Sequence, residues 1–224
     1  VPGLPCDQTW TVLDGGDGNL YIGHVGSGFS ILSLKDKSVK NFRNEAGNPM
    51  SLPGNDVFCI IKDTNGNIWL GTNKGLALYN AANENFITFK KNKNDKYDTL
   101  CSRILSIRQL KDNKLWIASE LNGIAILNLK QSMFLSPEEI SLEYIQEGDD
   151  SRSLSNASAR CIFQDSFDNI WIGTWGGGIN FISSKSPLFT TLSYSPIPNN
   201  ENSLNNKVAS SLCMDRQGRV WIGT

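Results

Sequence analysis

The chain has 224 residues, with 21 Lys and Arg against 22 Asp and Glu and a formal charge of −1 at pH 7. Neither sign gathers into a run, which excludes nucleic acid and anionic membrane surfaces as expected partners. No apolar stretch approaches the roughly 20 residues needed to cross a bilayer, and the opening Val1-Pro2-Gly3-Leu4 lacks the basic and apolar regions of a signal peptide.

One phrase recurs five times along the chain: Asn19-Leu20-Tyr21-Ile22-Gly23, Asn67-Ile68-Trp69-Leu70-Gly71-Thr72, Lys114-Leu115-Trp116-Ile117-Ala118-Ser119, Asn169-Ile170-Trp171-Ile172-Gly173-Thr174 and Arg219-Val220-Trp221-Ile222-Gly223-Thr224. Its aromatic residues are separated by 48, 47, 55 and 50 residues. That period suits a four-stranded propeller blade. A leucine stands 17 residues before the aromatic in four copies, Leu4, Leu52, Leu154 and Leu204, and in the third copy Leu100 stands 16 before. The missing residue is expected in the turn Lys111-Asp112-Asn113-Lys114, since hairpin turns tolerate changes of length.

The repeats divide the chain into blades at about 4–48, 52–98, 100–150 and 154–200, with a half blade at 204–224. In the first, strand B carries Tyr21 in place of Trp and His24 in place of Thr, and Phe29-Ser30-Ile31-Leu32 is a weaker strand C. In the second, strand A is Val57-Phe58-Cys59-Ile60-Ile61, followed by a turn rich in Asp, Asn and Gly, where left-handed backbone is cheap. Strands B and C follow, the latter Leu76-Ala77-Leu78-Tyr79, and the polar Phe86-Ile87-Thr88-Phe89 suits an outer strand D. The third blade has Ile104-Leu105-Ser106-Ile107, Ile124-Ala125-Ile126-Leu127 and Leu142-Glu143-Tyr144-Ile145, and the segment Ser136-Pro137-Glu138-Glu139-Ile140 resembles a capped helical turn inserted in the longest repeat. The fourth has strand C at Ile179-Asn180-Phe181-Ile182. Because Ile68 and Leu70 project to one side of strand B and Trp69 to the other, both faces need cover, which neighbouring blades supply. The expected fold is all-β: four complete blades and half of a fifth, a segment of a larger, seven-bladed propeller that continues past Thr224.

Cys6, Cys59, Cys101, Cys161 and Cys213 contain no C-x-x-C and read as buried small hydrophobes, with Cys59 and Cys161 at matching positions of different repeats. Asp63-x-Asn65-x-Asn67 imitates the start of a calcium loop, but Lys74 stands where the bidentate acid belongs, so a hairpin turn is the expectation. Gly176-Gly177-Gly178 lies between strands and not before a helix, which favours a tight B–C connection over a phosphate cradle. No metal, cofactor or catalytic constellation is expected. With His24 as the one histidine, no Ser-His-Asp set can be assembled from the spacing, and His24 reads as structural before it reads as a ligand contact.

Asp149-Asp150-Ser151-Arg152-Ser153-Leu154, Asp165-Ser166-Phe167-Asp168-Asn169-Ile170-Trp171-Ile172-Gly173-Thr174 and Gly176-Gly177-Gly178-Ile179-Asn180 resemble the two-component regulator propeller repeat. The resemblance covers essentially the whole chain. It implies the extracytoplasmic, periplasmic sensor of a bacterial hybrid two-component system, a histidine kinase elsewhere in the protein, and a response to products of polysaccharide breakdown. The chain departs from the pattern at Ala118-Ser119, Tyr21 and His24.

In an up-and-down blade the D–A and B–C loops share one rim, and the B–C loops hold the residues that vary among the copies. The candidate contacts for an oligosaccharide are therefore Trp175, Glu120, Asn122, Asn73, Lys74 and His24, with Trp175 as a flat platform for a sugar ring. Two other readings remain open: a scaffold or homodimerisation surface held among further blades and adjacent domains, and a propeller lyase similar to the streptogramin-inactivating lyases.

Overall fold

The computed structural model describes residues 2–89, 96–129, 140–150, 152–186, 188–193, 201 and 203–224. Four antiparallel sheets follow one another, each with its strands in sequence order. They are β1 (Thr9–Asp14), β2 (Asn19–His24), β3 (Phe29–Ser33) and β4 (Val39–Phe42); β5 (Val57–Lys62), β6 (Ile68–Thr72), β7 (Gly75–Asn80) and β8 (Asn85–Thr88); β9 (Ile104–Gln109), β10 (Lys114–Ser119), β11 (Ile124–Asn128) and β12 (Leu142–Ile145); and β13 (Ala159–Gln164), β14 (Ile170–Thr174), β15 (Ile179–Ile182) and β16 (Phe189–Leu192). A two-stranded sheet of β17 (Ser211–Met214) and β18 (Val220–Gly223) comes last. The first strands stack in series, β1 on β5, β5 on β9, β9 on β13 and β13 on β17, which makes them the inner strands of a propeller. The turn expected at 136–140 lies, but for Ile140, outside the described residues.

The core is a series of seams between blades. Tyr21 of the first blade is buried among Leu52, Val57, Ile60, Leu70 and Phe86 of the second. Trp69 of the second packs with Ile104, Ile107, Leu115 and Leu127 of the third, and Trp116 of the third with Leu154, Ala159, Ile162 and Ile172 of the fourth. Trp171 meets Leu212 and Ile222 of the last sheet. Each strand B therefore sends its aromatic forward into the next blade, and each marker leucine closes the same seam from the blade ahead. Trp221, with no following blade in this chain, is 55% exposed, whereas Trp69 is 2% exposed. The same indole in the same strand owes its burial to the neighbour, and truncating a buried Trp costs about 3–5 kcal/mol.

A carboxylate in the A–B turn fixes the indole. Asp63 Oδ1 accepts the backbone N–H groups of Asn65 and Asn67 at 2.9 Å, while Oδ2 accepts Asn67 Nδ2 and Trp69 Nε1, also at 2.9 Å. Asp165 holds Phe167, Asn169 and Trp171 in the same way, and Asp215 holds Gln217, Arg219 and Trp221. The calcium-like spacing at Asp63 thus serves an Asx-type turn whose acceptor capacity is filled by N–H donors. The Trp221 indole, ahead of the Arg219 bonds, draws the Asp215 carboxyl down to about 2. At Asp165 burial opposes the charge, yet the Trp171 and Asn169 bonds outweigh it and the pKa is lowered. The left-handed turn position is Gly66, Gly218 and Gly18 in three copies, and Asn113 and Asp168 in the other two, at φ of 63° and 65°.

The third blade corrects one expectation. Trp116 pairs with Arg108 as Trp69 pairs with Ile61, so its A–B turn has full length. The missing residue falls instead between Leu100 and Ile104, beside a 3₁₀ turn at Thr99–Cys101 that the second blade lacks at Leu52–Val57. In the turn itself Leu110 occupies the place of Asp63, and the buried Trp116 Nε1 has no hydrogen-bond partner among the described residues. The first blade solves the same problem differently, with Gly15 at the aspartate position and Tyr21 donating its hydroxyl to Asp17 at 2.8 Å. Burial and that bond push the Tyr21 phenol up to about 12.

The cysteines also differ from the expectation of uniform burial. Cys59 and Cys161 do occupy matching seams, and burial pushes their thiols up to about 12 and 11, which keeps them protonated and inert. Cys213 is exposed.

The glycine after the strand B aromatic marks where blades approach most closely. A Cβ on Gly71 would stand 2.5 Å from Cys59 Sγ, 2.8 Å from Ile104 Cγ2 and 2.9 Å from the Ile104 carbonyl oxygen. In the third copy Ala118 stands in this place, buried in the same seam as the small Ala159. Gly71→Ala is expected to lower unfolding stability by about 1–3 kcal/mol, the usual cost of overpacking a seam; a denaturant midpoint equal to that of the parent would contradict the seam geometry.

Candidate functional site

A constant backbone frame on one rim carries variable side chains. In each complete blade the first B–C loop residue donates its N–H to the residue just before strand A: Val25 to Gln8 at 3.1 Å, Asn73 to Asp56 at 3.0 Å, Glu120 to Arg103 at 3.0 Å and Trp175 to Ser158 at 2.9 Å. Loop glycines then reach forward to the next blade, Gly28 to the Asn55 carbonyl, Gly123 to that of Ala157, and Gly178 to that of Lys207. These bonds tie the B–C and D–A loops into one surface around the inner strands.

The inner strands add a third variable position. β1, β5, β9 and β13 each contain a bulge, seen as register shifts between Thr9 and Thr11, Val57 and Cys59, Ile104 and Ser106, and Ala159 and Cys161. The extra residues are Trp10, Phe58, Leu105 and Arg160. A bulge re-aims one side chain without breaking the ladder on either side, and such bulges concentrate beside functional sites.

The side chains on this frame meet in two groups. Trp10 and Phe58 contact edge to face, their ring centroids 5.5 Å apart, and the Arg103 guanidinium lies 5.3 Å from the Phe58 centroid. Arg103 Nη1 also donates to both carboxylate oxygens of Glu120, at 3.0 and 3.2 Å. In the fourth blade the Arg160 guanidinium lies 4.1 Å from the centroid of the Trp175 ring, inside cation–π range. Trp175 is 52% exposed and Trp10 61% exposed, so both groups face solvent.

The six residues chosen from sequence separate on this frame. Trp175 is an exposed platform, but its stacking partner is Arg160. Glu120 is engaged by Arg103. The Asn73 side-chain oxygen accepts the Asp56 N–H at 3.3 Å, and the Asn122 carbonyl accepts Thr99 Oγ1 and Gln146 Nε2, so both asparagines hold the loop. Lys74 is exposed.

His24 departs from the candidate set. It is fully buried and bonded through Nε2 to Ser30 Oγ at 2.9 Å, in a chain that runs on to Asn41 and the Gly3 carbonyl. It fills the slot in which Thr72, Ser119 and Thr174 cap their own B–C loops by donating to the Gly75, Gly123 and Gly178 carbonyls. It presents no surface to a dissolved ligand.

Trp10, Phe58, Arg103 and Arg160 were missed from sequence. For the bulge residues the signal was present: the second residue of strand A varies in chemical class from copy to copy, while Val12, Ile60, Ile107 and Ile162 two residues further on stay aliphatic. Without knowledge of the bulge, that position reads as an ordinary strand residue on the outward face.

Burial lowers the pKa of His24 below its ordinary value near 6.5. A depressed folded-state pKa means the unfolded chain takes the proton first, so the stability His24 contributes is complete above about pH 6.5 and is lost as pH falls toward the folded-state value. His24→Gln is expected to remove the part of the stability–pH curve that begins near pH 6.5, as measured by urea unfolding between pH 7.5 and 5; an unchanged curve would mean the imidazole is solvated.

A family model described as two component regulator propeller matches residues 51–74, 153–176 and 203–224. The extracellular domain of a hybrid two-component system from B. thetaiotaomicron is 57% identical over the whole of this chain, which covers 26% of that domain, with a TM-score of 0.67. A second extracellular domain from the same organism, 20% identical, matches 96% of this chain with a TM-score of 0.76 and shares the fold. Histidine kinase P4 of Formosa agariphila is 33% identical over 94 residues, 40% of this chain and 7% of that protein. The chain thus spans about a quarter of the length of these solved domains.

Proposed function

This chain carries two-component regulator propeller repeats, and from that premise we propose that it is a ligand-sensing segment of an extracytoplasmic two-component receptor, binding an oligosaccharide on the axial rim without acting on it. The observation that carries this reading is the rim itself. A periodic backbone frame holds Trp175 and Trp10 exposed at the surface, with Phe58 partly buried against Trp10, while the same frame buries the repeat-constant aromatics in seams. Half-exposed aromatic faces beside polar groups suit the apolar face and hydroxyls of a pyranose ring. A receptor reading fits the 57% identity to an extracellular domain of a hybrid two-component system. Sensing then requires that ligand bind one arrangement of the receptor better than another, because a ligand shifts only an equilibrium whose states it distinguishes.

A lyase reading finds little support on the rim. The one histidine is buried in a hydrogen-bond chain, and Glu120, the rim carboxylate beside an aromatic group, is occupied by Arg103.

Calorimetric titration of the protein against a panel of plant, algal and host oligosaccharides tests the proposal. At least one binder is expected, and Trp175→Ala is expected to weaken it roughly tenfold, about 1.4 kcal/mol. Unchanged affinity in that variant would remove Trp175 from the site, and product formation from a bound glycan would replace the sensor reading with an enzymatic one.

A further inference from the structure

We propose that the Arg160–Trp175 pair is an anion-recognition subsite, and that the ligand on this rim is an acidic oligosaccharide bearing a carboxylate or sulfate group. The inference rests on the sensing role proposed above and names the ligand class for it.

Arg160 alone among the described arginines has a buried side-chain nitrogen without a hydrogen-bond partner. Arg103 is paired with Glu120, Arg219 with Asp215, and Arg108 donates Nε to the Ile162 carbonyl. Arg160 makes no ion pair and no hydrogen bond among the described residues, and its Nε is buried without a partner. The Nε–H is closed off from solvent and cannot itself meet a ligand, whereas the two Nη groups carry no bond to the described residues and are the donors an external acceptor can reach. Stacking on the Trp175 ring at 4.1 Å satisfies none of the five N–H donors, because they lie in the guanidinium plane and point away from its face. The edge formed by the two Nη groups therefore stays available, and that edge matches the two oxygens of a carboxylate or sulfate.

The pair is held ready rather than assembled by the ligand. Arg160 is the bulge residue of β13 and is turned toward the rim by the extra residue in that strand. Trp175 is fixed by its N–H bond to Ser158 and by a bridge to Val208, and Gly176 and Gly178 both donate to the Lys207 carbonyl. The indole thus serves two tasks: it orients the guanidinium, and it leaves about half of its surface for a sugar ring. No other blade repeats this chemistry, since Trp10, Phe58 and Leu105 occupy the equivalent bulges. A site of this kind selects an acid group at one point along an otherwise aromatic-lined rim.

The test is calorimetry on the protein with matched pairs of ligands: uronate-containing oligosaccharides against their carboxyl-reduced forms, sulfated oligosaccharides against their desulfated forms, and inorganic sulfate alone. The expected result is binding of one acidic series, at least tenfold weaker after neutralisation of its acid group. The same binding should weaken tenfold or more in Arg160→Gln, recover in part in Arg160→Lys, and decline as salt rises. Thermal unfolding of each variant controls for folding, and the lysine variant keeps the test open if the glutamine variant is unstable. A neutral oligosaccharide that binds through Trp175 with no dependence on Arg160 would overturn the acidic assignment and leave the sensing role standing. Absence of any glycan binding would overturn both. Sulfate bound as tightly as a sulfated sugar would mean an adventitious ion only, and would also overturn the ligand class.

Discussion

Every blade of this chain depends on one contact, the insertion of a strand B aromatic into the apolar seam of the blade that follows. A four-stranded sheet has two faces and cannot bury either alone, so each sheet is stable only as far as its neighbour covers it. Burial of Tyr21, Trp69 and Trp116 and exposure of Trp221 follow the presence or absence of that cover within the chain. The glycine two residues after the aromatic belongs to the same constraint, because the next inner strand passes where its Cβ would be.

A large aromatic in a seam brings a polar atom with it, and the repeat deals with the indole N–H through the turn aspartate. Asp63, Asp165 and Asp215 each join the turn backbone to the wedge, so the hairpin that ends strand A also sets the depth of the side chain on strand B. The third blade shows what happens without it: Leu110 adds apolar surface to the seam, and the Trp116 N–H is left unpaired. Dispersion and area burial compensate there for a missing hydrogen bond, a local exchange of one stabilising term for another. With the frame secured in the seams and turns, the rim residues are free to vary, and the chemistry of recognition resides in that variation.

Much of the architecture was legible in the sequence, because a repeat states its own register. The period, the strand order and a tryptophan wedged between blades follow from Trp69, Trp116 and Trp171 and the leucines ahead of them, while the direction of the wedge, into the following blade, came from the structure. The site was less legible for physical reasons. His24 differs from its Thr counterparts, but the difference lies inside the blade, where a network through Ser30 and Asn41 absorbs it. Arg160 looks like a polar residue at the start of a strand; only the bulge reveals that it turns to the rim, and bulges leave no mark in a period-two pattern. The residue missing from the third copy was likewise assigned to the turn, where length usually varies, although pairing of Trp116 with Arg108 moves it to the connection before strand A.

The coupling between Asp63 and Trp69 measures the central claim most directly. In a double-mutant cycle of Asp63→Ala and Trp69→Phe by denaturant unfolding, the loss from the pair should fall short of the sum of the single losses by about 1–3 kcal/mol, the range for residues in direct contact. Additive losses would mean that the turn carboxylate and the seam aromatic act independently, and the account of how one blade is fastened to the next would fail.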